Sequence, residues 1–112
     1  MSFDLAFWHV DGSIDAAQAL ATYEGILEEI PGCVAENPAV GRFNADVVSV
    51  FPDLTEENAD ESPWSSPLYS SDSFTVASIS WSKQAIVSQA LIALAKKHGL
   101  ICYDPQSGTV FQ

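Results

Sequence analysis

The chain has 112 residues, with 15 Asp and Glu against 4 Lys and Arg and a formal net charge of −11. Four cations cannot neutralise the phosphates of a nucleic acid or of an anionic lipid surface, so neither partner class is expected. The 47% apolar fraction argues against disorder, which pairs high charge with low hydrophobicity.

Length predicts one domain over residues 1–112, exposing roughly 6,000 Å² once folded. The two cysteines, Cys33 and Cys102, could pair. No basic segment precedes Phe3, however, so a reduced, cytoplasmic chain is the expectation. The longest purely apolar stretch, Ala90 to Ala95, is far short of the roughly 20 residues a membrane span needs.

In chain order, Phe3 to Val10 reads as a buried strand. Leu5 and Phe7 share one face, Ala6 and Trp8 the other, and both faces are largely apolar. Ser13 or Asp15 can cap a helix with a stripe of Ala16, Leu20, Tyr23 and Leu27, ended by Pro31-Gly32. Asn37-Pro38 starts a second, with Val40, Phe43, Val47 and Val50 as its stripe and Pro52 as its stop. Phe74 to Trp81 alternates as a second strand. Ser80 or Ser82 then caps a helix carrying Ile86, Val87, Ala90, Leu91, Leu94 and Ala95. Gly99 ends it, and residues 100–103 and 109–111 form a hairpin around Asp104 to Gly108. The order β-α-α-β-α-β-β predicts an α+β two-layer sandwich. Its mixed four-stranded sheet would have helices mainly on one face, and the strand–helix–strand step from Phe74 to Tyr103 would give a parallel pair.

Residues 53–73 stand apart as a long acidic and aromatic loop within the domain. Asp53, Glu56, Glu57, Asp60 and Glu61 precede Trp64 and Tyr69, with no Lys or Arg among them. Aromatic anchors beside steering charge compose a binding hot spot. These seven residues are therefore the candidate site for a basic protein partner; the bland alternative is a solvated loop whose aromatics fold back on the core.

Other chemistry is weaker. No CxxC or HxxxH spacing is present, so no metal site, and no cofactor, is assigned. Cys102 sits among apolar strand residues, where thiols are core filler. Glu28-Glu29 and Glu56-Glu57 are adjacent pairs that diverge on a helix and form no facing dyad. No catalytic residue is assigned. The alternative, a small enzyme or ligand-binding domain, would need His9, Asp11, His98 and Asp104 to gather in one pocket. Homodimer formation through the edge strand Thr109 to Phe111 is a third possibility.

Ile79-Ser80-Trp81-Ser82, Leu94-Ala95-Lys96-Lys97-His98-Gly99-Leu100 and Tyr103-Asp104-Pro105-Gln106 resemble segments of a family of small acidic bacterial proteins without an established activity. Phe3 to Trp8 and Pro63-Trp64 extend the likeness. Related sequences resemble the immunity-type partners of bacterial toxins. That resemblance implies a cytoplasmic, single-domain bacterial protein with a binding role; together with the −11 charge and the acidic segment it gives the expectation of a non-enzymatic, immunity-type module whose partner is a basic toxin.

Overall fold

A computed structural model describes residues 2–112. Five strands, β1 (Ser2–Trp8), β2 (Tyr69–Ser70), β3 (Phe74–Ser80), β4 (Ile101–Asp104) and β5 (Thr109–Phe111), form one sheet in the order β2-β3-β1-β4-β5. Three helices, α1 (Ala16–Leu27), α2 (Pro38–Val50) and α3 (Gln84–Lys97), cover it. The α+β class is the predicted one, and the exposed area of 6148 Å² matches the size expectation.

The sheet corrects the prediction in three respects. It has five strands, not four, because Tyr69–Ser70 adds to the edge of β3; two residues are too few to show alternation. It is wholly antiparallel, not mixed. β3 and β4 run in the same direction but never pair. β1 lies between them, with Ser2 opposite Ser80 and Trp8 opposite Phe74 on one side, and Ala6 opposite Tyr103 on the other. Finally, helices cover both faces. Leu5 and Phe7 join the α2 and α3 side, with Val40, Phe43, Val47, Val87 and Leu91. Ala6 and Trp8 join the α1 side, with Ala19 and Ile26. The cause is β1 itself: Leu5, Ala6, Phe7 and Trp8 are all at most 2% exposed, and only a central strand covered on both faces can hide all four.

The helix signals hold at the ends better than along the faces. Asp15 caps α1 in a reciprocal box with Gln18, and Asn37 caps α2 with Pro38 as its first residue. Gly99, at φ +72, takes the left-handed position after α3. No serine caps α3; a single 3-10 turn, Trp81–Lys83, leads into it instead. Of the expected stripe of α1, Tyr23 packs on the core, but the fully buried side chains are Ala19 and Ile26, and Leu20 and Leu27 are about half exposed.

Residues 51–68 fold back along the sheet edge. Trp64 forms a bridge with Ile79, flanked by Ser65 N–H donating to the Ser78 carbonyl and Ser80 N–H donating to that of Pro63. Its side chain is 2% exposed and its indole N–H donates to the carbonyls of Pro52 at 3.0 Å and Phe51 at 3.3 Å. Those carbonyls belong to the two residues that follow α2, so one side chain fills the core and also ties down the chain as it leaves the helix.

Asp46 of α2 holds α3. Its Oδ2 lies 2.7 Å from His98 Nε2 and 3.2 Å from Lys97 Nζ. Hydrogen bonds first from His98 and then from Lys97 hold its carboxyl below the ordinary 3.8.

Two outcomes are expected. Trp64→Ala leaves a cavity and two carbonyls without their donor and should cost about 3–5 kcal/mol by urea denaturation, against about 1–3 kcal/mol for Trp64→Phe, which loses the same donor but keeps most of the packing. Asp46 has a depressed folded value, so its stabilisation is present above 3.8 and lost as pH falls through that lower value. Urea midpoints of wild type and Asp46→Asn should therefore differ at about pH 5 and converge on acidification.

Candidate functional site

The structure disperses the seven residues expected to act together. Trp64 is core, so it presents no surface to a partner; the large indole is worth more buried than exposed. Asp53 works inward. Its Oδ1 accepts from Leu54 N–H at 2.8 Å and Leu68 N–H at 3.0 Å, closing the segment on itself. Tyr69 is 38% exposed, but its hydroxyl points across the other face of the sheet toward Glu29 Oε1, 3.4 Å away.

Glu56, Glu57, Asp60 and Glu61 stay together on one exposed turn. Asn58 builds it: its Oδ1 accepts from Thr55 N–H at 2.8 Å, its Nδ2 donates to the Asp53 carbonyl, and its own carbonyl accepts from the N–H groups of Glu61 and Ser62. Among the described residues no cation pairs with these four carboxylates; Lys83 reaches only the Glu61 carbonyl, at 3.0 Å. Negative charge is therefore held in place with no direct ion pair, the Lys83 ammonium standing at its edge.

Beside this turn runs a groove made of two joined hollows of about 380 and 270 Å³. Phe51, Glu61 and Pro63 line both; Ile86 and Lys83 belong to one, Val50 and Asn58 to the other. Ile86 is 78% and Val50 58% exposed, the largest exposures of any big apolar side chain among the described residues. Both stood in stripes that the sequence assigned to the core. A signal was available: Ile86 and Val87 are neighbours about 100° apart on a helix, and Val87 alone is buried.

A second hollow, of about 300 Å³, opens on the opposite face at the end of α1, lined by Glu29, Cys33, Tyr69 and Phe74 among others. Glu29 has φ 57, the left-handed position where glycine is usual. It closes a Schellman turn, with Ile30 N–H donating to the Gly25 carbonyl and Glu29 N–H to that of Ile26. Holding a side chain there costs about 1 kcal/mol. Gly25 makes room for Cys33, since a Cβ at 25 would come within 3.2 Å of the Cys33 Cβ. Partial burial first, and then the charge of Glu29, raise the Tyr69 phenol above its ordinary value of 10.0.

The four residues of the enzymatic alternative do not gather. Asp104 is 8% exposed and caps its own turn, accepting from Gln106 N–H and Ser107 Oγ at 2.9 Å each. It lies beside the middle of β1, while His9 follows the end of that strand. His98 is taken by Asp46, and His9 faces only the exposed Asp11 at 3.8 Å. None of the four lines any of the hollows above. Burial and then Asp104 push the Cys102 thiol far up, away from the reactive thiolate. Both cysteines are free, and no group of three His, Cys, Asp or Glu among the described residues is placed to hold a metal ion. No helix of the described residues is long and apolar enough to cross a membrane.

No family model matches the chain, and neither does any curated protein or solved structure.

Proposed function

We propose that the protein is a non-enzymatic binding module for a basic protein, of the immunity type that its sequence resemblance implies, and that the partner docks at the acidic turn and its groove. The observation that carries this reading is that the exposed turn bearing carboxylates at positions 56, 57, 60 and 61 enters, through Glu61 and Asn58, the groove lined by the exposed Ile86 and Val50. Apolar side chains that exposed cost free energy when left in water and gain it when covered. The carboxylates select what covers them: a cationic surface is drawn in and an anionic one repelled. The anchors proposed are thus Ile86 and Val50, with Trp64 supporting the groove from beneath. The −11 charge of the chain adds long-range steering that salt screens.

The test is direct binding by purified proteins encoded beside this gene, measured by surface plasmon resonance. A basic neighbour should bind. Changing Glu56, Glu57 and Glu61 to Gln and Asp60 to Asn together should lower its association rate about 10-fold or more. Ile86→Asp, at a site too exposed to disturb folding, should raise its dissociation rate by a similar factor. Absence of binding by every neighbour, or binding indifferent to both sets of changes, would refute the reading.

A further inference from the structure

The hollow at the end of α1 has a chemistry of its own. It is lined by the buried Ile26, by Ile30, Phe74 and Tyr69, and by Glu29, whose carboxylate meets the Tyr69 hydroxyl, and no Lys or Arg lines it. The Tyr69 and Phe74 rings meet edge to face with centroids 5.1 Å apart. An aromatic pair with one carboxylate and apolar flanks suits an organic cation with a short alkyl stem: the carboxylate pairs with the charge, the Tyr69 ring adds attraction beside it, and the apolar side chains cover the stem. A volume of about 300 Å³ lies at the lower end of the range for small-ligand sites. Tyr69 and Glu29 come from segments 40 residues apart, so only the fold brings them to one rim.

We infer that this hollow is a binding site for a guanidinium or ammonium group on a short alkyl chain. The group can come from a free amine or from an exposed Arg or Lys side chain; the recognition is the same. The site lies on the α1 face, whereas the acidic groove lies on the α2 and α3 face, so it stands whether or not the groove binds a protein.

The experiment is a ¹⁵N–¹H NMR titration of the full chain with agmatine, with the peptide acetyl-Gly-Arg-Gly-amide, and with 1-pentanol as the uncharged control. Agmatine should shift the amides of Glu29, Cys33, Tyr69 and Ser73 in a saturable way, and 1-pentanol should not. If the peptide shifts the same amides, a protein side chain is an accepted source; if agmatine alone does, the ligand is a free cation. Glu29→Gln and Tyr69→Ala should each weaken agmatine binding about 10-fold. Glu29→Gly supplies a readout that a purely structural role would not give: it relieves the left-handed residue, so the urea midpoint should rise while agmatine binding is lost. The inference is overturned if no saturable shift occurs, if shifts centre on residues 56–61 instead, or if Glu29→Gln and Tyr69→Ala bind agmatine as wild type does.

Discussion

A strand apolar on both faces cannot sit at the edge of a sheet or over open solvent, and β1 is such a strand. With Leu5 and Phe7 on one side and Ala6 and Trp8 on the other, all buried, it needs a neighbour along each edge and a helix layer over each face. β3 and β4 supply the edges. α1 supplies one layer, α2 and α3 the other. The later elements follow from this demand. The step from β3 through α3 to β4 must pass over β1, so the two strands it joins cannot pair. The chain between α2 and β3 must then reach the outer edge of β3, which is where Trp64 and β2 are found.

That edge segment links fold to surface. The Trp64 indole is buried in the core and bonded to the carbonyls of Phe51 and Pro52, just past the end of α2, which ties residues 51–63 down. Asn58 then shapes the turn that carries the carboxylates, and Pro63 and Phe51 form the groove floor beside it. Like charges held close on one turn repel each other. A fixed backbone, bonded through Asn58 and Asp53, offsets that repulsion without consuming the carboxylates. The proposed binding surface therefore depends on the core tryptophan although no partner would touch it.

Much of the fold was legible because it is local. The Asp15 and Asn37 caps, Pro38, Gly99, the alternation of β3 and the terminal hairpin all depend on neighbours a few residues away, and the structure shows each of them. What was not legible depends on distant partners. The period-2 pattern of β1 shows that both faces are covered, but not which strand lies at each edge. The stripe of α1 centres on Ala19, Tyr23 and Ile26 rather than on Leu20 and Leu27 because the helix is set by the distant Trp8 and Tyr103 of the same cluster, which no local pattern encodes. The acidic turn could be read from composition alone. Trp64 reads as a partner anchor but is core, since an aromatic in a polar stretch looks the same in either role. The hollow around Glu29 had no sequence signal, because a glutamate at a left-handed position is visible only in the backbone.

The central claim is that the negative field of this chain is concentrated at the turn beside the groove. Paramagnetic relaxation of the amides by a cationic nitroxide, amino-PROXYL, compared with its anionic counterpart, carboxy-PROXYL, measures that field directly and needs no partner. The expected result, read in the Glu29→Gln chain so that the α1 hollow does not gather the ammonium probe, is a cation excess greatest at residues 56–61 and around Ile86, fading as salt is added. A uniform excess over the whole surface, or one greatest on the α1 face, would contradict it.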